Sequence, residues 1–110
     1  DIMNQQVKVI VISGNFNAST SSEFHKNVQE VIASDIKTLL IDCHSVTFMD
    51  SFGLGTLVVT FKMLEAAGIK MVISSTNEQV KMLFELTGMD NKFTIVPSQK
   101  AFEDLLVSAG

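Results

Sequence analysis

Few residues in this chain have side chains that could do chemistry. Its 110 residues include two histidines and one cysteine. His25 and His44 fall in different segments. They lack the H-x-x-x-H or H-x-x-H spacing that brings two imidazoles onto one metal, so each reads as a surface or turn residue. Cys43 ends an apolar run and reads as a small buried hydrophobe. His44 follows it directly, but neighbours on a strand point to opposite faces, so the two do not form a thiolate–imidazole pair. A lone cysteine also excludes an internal disulfide and a multi-cysteine zinc site. Nothing in the spacing joins Asp42 and Asp50 as an acid–base pair. Gly53-Leu54-Gly55 lacks the third glycine of a dinucleotide fingerprint, and no G-x-x-x-x-G-K-S/T phosphate loop is present. The expected catalytic, cofactor-binding and metal-ligating sets are therefore empty, and the chain is expected not to be an enzyme.

One segment stands apart, Val46-Thr47-Phe48-Met49-Asp50-Ser51-Phe52-Gly53-Leu54-Gly55-Thr56-Leu57. An apolar approach ends abruptly in Asp-Ser, and an amphipathic helix begins at once. Asp50 or Ser51 suits the N-cap position, where a side-chain oxygen takes up a free backbone N–H. The two glycines suit a helix start that comes close to a sheet. Neither role accounts for Phe52, a large apolar residue in the first helical turn. A serine here is also well placed to carry phosphate, because the free N–H groups and the positive end of the helix dipole stabilise an anion.

The elements that must position this segment follow from apolar periodicity. Val7 to Ser13 reads as a buried strand with a turn at Gly14. Ser19 to Ala33 carries Phe24, Val28, Val31 and Ile32 at helical spacing, with N-cap types at Asn17, Ser19, Thr20 and Ser21 and Glu23 in the first turn. Lys37 to Cys43 suits a central strand, and Phe48-Met49-Asp50 ends the connection after it. Ser51 to Ala67 is the longest predicted helix. Its stripe is Leu54, Leu57, Val58, Phe61 and Leu64, and Gly68 closes it. Ile69 to Ser74 is a strand. Asn77 to Thr87 is a helix with Val80, Leu83 and Phe84 inward, closed by Gly88. Phe93 to Val96 is a short strand. Ser98 caps a last helix with Phe102, Leu105 and Leu106 inward. Met63, Met71 and Met82 read as core or edge filler, and Lys62, Glu65, Lys81 and Glu85 as solvated helix faces. The order β-α-β-α-β-α-β-α, with a frayed strand before Val7, predicts an α/β domain. Its sheet is expected to be mixed or largely parallel, with about four helices.

Length and charge narrow the partners. A chain of this size fits one domain with a core of its own. Twelve acidic residues against 8 basic ones, all lysine, leave a net charge of -4. An acidic chain without arginine is poorly suited to gripping a phosphate backbone, so direct nucleic-acid binding is not expected. The first six residues lack the basic start and apolar run of a secretory signal. No run approaches the ~20 apolar residues of a membrane span. A soluble, cytoplasmic chain without membrane contact is the expectation.

Against this background the run F-M-D-S-x-G-L-G-x-L at 48–57 resembles the signature of the STAS domain. More narrowly it resembles that of the bacterial anti-sigma factor antagonists. Gly14-Asn15-Phe16-Asn17 is similar to the family's Gly-x-aliphatic-Asp turn, with Asn17 where Asp is usual. Val80 to Gly88 is similar to its later helix ending in Leu-Phe-x-x-Ser/Thr-Gly. The resemblance covers nearly the whole chain and implies a single STAS domain over residues 1–110.

It also implies that Ser51 is phosphorylated by a partner that is both anti-sigma factor and serine/threonine kinase. The unphosphorylated form would bind that partner and free the sigma factor. Phosphorylation would block binding, and a PP2C-type phosphatase would restore it. Asp50, Phe52, Thr56 and Asn17 are the residues expected to share the interface. Phe52 stands where the family commonly has a second Ser or Thr. The alternative is a STAS module of a transport or stress-sensing assembly that does not switch.

Overall fold

A computed structural model of the chain describes residues 6–75 and 77–109. Four strands, β1 (Val7–Phe16), β2 (Thr38–Met49), β3 (Lys70–Ser74) and β4 (Thr94–Val96), form a sheet in the order β1-β2-β3-β4. Every pairing among them is parallel. The helices are α1 (Ala18–Ile32), α2 (Ser51–Ala66), α3 (Glu78–Thr87) and α4 (Gln99–Ala109), with a 3-10 turn at Met89–Asn91. The alternation read from the sequence is therefore present as an α/β fold. The strand expected before Val7 falls on residues 1–5, outside the described residues.

Consecutive parallel strands joined by right-handed crossovers place their helices on the same face. The large core shows this: Ile10, Leu39, Ile41 and Ile73 of the strands pack with Phe24 and Val28 of α1, Leu57 and Leu64 of α2, and Phe84 of α3. Side chains alternate along a strand, so Leu40 and Val72 point the other way. There they meet Val96 and Phe102, and α4 covers them as a small second core. Leu105, expected inward, is 51% exposed. The inward pair on α4 is Phe102 with Leu106, one turn apart, which rotates Leu105 toward solvent.

A polar latch reinforces α4. The Asp42 carboxylate accepts from the Gln99 side chain (2.7 Å), from the His44 N–H (2.9 Å) and from the Ser74 hydroxyl (3.2 Å). Burial would raise the pKa of this carboxyl. The three donors, with Gln99 foremost, outweigh burial and hold it below the ordinary value.

Further sequence expectations are corrected. Strand β1 is not buried on both sides. Among the described residues it lies at the sheet edge, where Val7 packs against the small second core while Val9 and Val11 are exposed. Gly14 makes no terminal turn. It has φ +73° within a strand that continues to Phe16. β2 does not stop at Cys43 but runs on to Met49, paired with β1 as far as Phe16↔Met49. Between Val11 and Ser13, and again between Gly14 and Asn15, β2 gains a residue over its partner. Such bulges change which face each following side chain takes. Met82 also departs from its filler role, at 59% exposed, and Glu23 lies beyond the first turn of α1.

Candidate functional site

The segment around Ser51 is built from three converging pieces: the end of β1, the end of β2 and the start of α2. Asp50 sits in extended backbone as the N-cap of α2, and its carboxylate accepts from the Gly53 N–H at 2.9 Å. Its carbonyl takes the Leu54 N–H at 3.0 Å, and its own N–H donates to the Phe16 carbonyl at 3.3 Å. Phe16 is fully buried and meets Phe24 of α1 edge to face, with ring centroids 5.2 Å apart. Gly53 lies against the Phe16 backbone so closely that a Cβ there would come 2.3 Å from the Phe16 carbonyl oxygen. Of the two glycines, Gly53 is the one that a close approach demands. A Cβ on Gly55 would meet nothing within 4 Å.

The frame leaves Ser51 exposed on the first turn of α2. Phe52 beside it is 57% exposed, so it does not pack into the chain's own core. Ser51, Phe52 and Thr56 line one groove of about 640 Å³ between α1 and α2. Small side chains keep it open: Ala18, Ser21 and Ser22 on α1 face Gly55 and Thr56 on α2. The exposed side chains of Phe52 and Val59 give it apolar character. Ser21 donates to the Asn17 carbonyl at 2.6 Å and lies 3.0 Å from the Thr56 hydroxyl, which ties the two helices together under the groove.

The other two residues singled out from the sequence hold the helix starts. Asn17 is the N-cap of α1, accepting from the Ser19 N–H at 3.0 Å, and completes a capping box with Thr20. Asp50 caps α2 through the Gly53 N–H alone. Neither lines the groove. Sequence reasoning missed its far wall, made by Ser22 and His25, and its end at Val59. The signal was present: 18, 22 and 25 on α1 and 52, 56 and 59 on α2 recur at helical spacing, one stripe on each helix.

Cys43 is fully buried. Burial, with the Asp42 charge adding to it, pushes its thiol up to about 12. The thiolate that does nucleophilic chemistry is therefore scarce at neutral pH. A disulfide-exchange reagent at pH 7.5 is expected to modify Cys43 no faster than the chain unfolds. Its full rate should appear only in denaturant, as followed by release of the coloured thiol.

Among the described residues, no helix is long and apolar enough to cross a membrane. Comparison with known proteins adds the family context. A model of the STAS domain matches residues 3–102. The anti-sigma-B factor antagonist of Listeria monocytogenes is 29% identical over 82 residues, 74% of this chain and 72% of that protein. The crystal structure of an anti-sigma factor antagonist from Mycobacterium paratuberculosis superimposes with a TM-score of 0.79 at 24% identity, covering 96% of this chain and 86% of that one. The Bacillus cell fate determinant SpoIIAA, in its phosphorylated form, superimposes with a TM-score of 0.71 at 16% identity, covering 96% of each chain.

Proposed function

This chain belongs to the STAS domain family, and we propose that it is an anti-sigma factor antagonist in which Ser51 is a charge switch. The observation that carries this reading is the setting of Ser51. It is an exposed hydroxyl on the first turn of a capped helix, at the edge of an apolar groove with Phe52 beside it. The unphosphorylated chain binds an anti-sigma factor that is also a serine/threonine kinase, and the sigma factor is released. The kinase brings ATP and Mg²⁺ and transfers phosphate to Ser51, and a PP2C-type phosphatase removes it. Phe52 supplies apolar contact, and Thr56, Asp50 and Asn17 shape the surface around it. The chain acts as a binding protein and substrate rather than as an enzyme, in the cytoplasm, as a single STAS domain over residues 1–110. It makes no direct contact with nucleic acid or membrane.

Two things support the switch. Curated relatives such as the Listeria protein are named anti-sigma factor antagonists. The Bacillus protein SpoIIAA, which shares this fold, has been solved in a phosphorylated form, which supports reading a phosphorylated state here. Physically, the start of α2 stabilises an anion through its dipole in the free chain. A partner that lays an apolar or acidic surface there gains no such compensation. The modification therefore separates free and bound states without refolding.

Incubation with the cognate anti-sigma kinase and ATP, followed by mass spectrometry, is expected to place one phosphate on Ser51. Phosphate on Thr47 or Thr56 with Ser51 untouched would overturn the site. Co-purification of transporter subunits in place of a sigma-regulating kinase would overturn the partner.

A further inference from the structure

The end of β2 has one open edge. The last pairing of β3 with β2 is Ser74 with Asp42, yet β2 continues to Met49, paired among the described residues with β1 alone. In a parallel ladder a given residue turns its N–H and C=O toward the same neighbour. Asp50 donates its N–H to Phe16 on the β1 side. Met49 faces the other way, where no strand remains among the described residues, and its side chain is fully buried. Backbone groups in such surroundings need partners.

Gln79 of α3 provides both. The Met49 N–H donates to Gln79 Oε1 at 2.9 Å, and Gln79 Nε2 donates to the Met49 carbonyl at 2.9 Å. A backbone N–H only donates and a carbonyl only accepts, so the amide can sit in one orientation only. The side-chain amide takes the place of a third strand. Asn77 meets one group three residues earlier: its Nδ2 donates to the Val46 carbonyl at 2.7 Å, while its Oδ1 caps α3 by accepting from Gln79 and Val80.

Met49 directly precedes Asp50 and Ser51. On the reading of Ser51 given above, we propose that Gln79 is a positioning residue for that switch. Its carboxamide closes the open edge of β2 at Met49 and sets how Ser51 is presented to the kinase. Gln79 does not line the groove, and its carboxamide bonds the Met49 backbone and not Ser51, so it acts through the backbone.

The test measures phosphorylation of Ser51 by the cognate kinase for the wild-type chain, Gln79→Ala and Gln79→Glu, each checked for folding by urea denaturation. Gln79→Ala removes both bonds. Gln79→Glu keeps an acceptor for the Met49 N–H and sets an oxygen in place of the donor to its carbonyl. The expected kcat falls below wild type in both variants, by about tenfold in Gln79→Ala, with KM changed less than twofold. Hydrogen exchange at the Met49 amide should accelerate in Gln79→Ala and less in Gln79→Glu. Should Gln79→Ala fail to fold, Gln79→Glu carries the comparison. Equal kcat in folded variants overturns the positioning role while Ser51 stands. A wild-type chain left unmodified at Ser51 defeats the switch reading itself and this role with it.

Discussion

Replacing Gly53 by alanine is expected to cost the chain roughly 3 kcal/mol of folding stability. The added Cβ would lie 2.3 Å from the Phe16 carbonyl oxygen and 2.9 Å from its carbonyl carbon. Both are backbone atoms and cannot rotate aside as a flexible side chain would. Phe16 is held on every side: its ring is buried against Phe24, and its carbonyl accepts the Asp50 N–H. The clash can be relieved only by moving the start of α2 off the sheet, which breaks the cap and the frame of Ser51 together. The helix propensity that alanine gains over glycine, up to ~1 kcal/mol, reduces this loss but does not cancel it. Gly55→Ala is the internal control. Nothing stands within 4 Å of its Cβ, so it should leave stability unchanged or raise it by a few tenths of that propensity. Urea midpoints at unchanged m would measure both. Equal midpoints for Gly53→Ala and the wild type would mean that the contact between α2 and β1 is softer than the geometry states.

The second large effect concerns binding. Ser51→Asp is expected to weaken the complex with the anti-sigma partner by at least tenfold, and phosphorylation to weaken it by two decades or more, while Ser51→Ala binds like wild type. Phosphate adds about -1.5 to -2 charges at pH 7, against one for aspartate. Asp50 already stands beside the position, and the chain carries a net charge of -4. Facing a carboxylate or an apolar surface within ~5 Å, each unit of charge costs on the order of 1–3 kcal/mol at an effective dielectric between that of water and ~20. Each 1.4 kcal/mol is a factor of about ten in Kd. The graded order of alanine, aspartate and phosphoserine separates a charge effect from simple loss of a hydroxyl contact. Titration calorimetry at low and at high salt reads it, since an electrostatic effect shrinks as salt screens it. Equal affinities for Ser51→Asp and Ser51→Ala would argue against a charge mechanism.

The end of β2 shows where reading residues in order runs out. From Cys43 to Met49 the buried positions are 43, 46 and 49, a spacing of three. A regular strand buries every second residue, so this run does not announce itself as a strand. The two bulges against β1 create the spacing, and bulges arise from pairing with a partner far along the chain. For the same reason Gly14 reads as a turn when it is part of a strand. Leu105 fails differently: on a short helix over a small second core, which of two adjacent leucines faces inward is set by where that helix docks.

Local signals carried the rest. Alternating runs of β-branched and helically spaced residues determined the α/β order, because period and side-chain direction are properties of the backbone itself. The Asp-Ser start of α2 and its cap were likewise written in neighbouring residues, since a cap spans a few positions only. Tertiary structure alone decided that Gly53 and not Gly55 meets β1, that the α1 stripe with Ser22 and His25 faces the α2 stripe beside Ser51, and that Gln79 completes β2 at Met49. Each of these joins groups distant in the chain, and only the packed sheet fixes how far apart such groups come to rest.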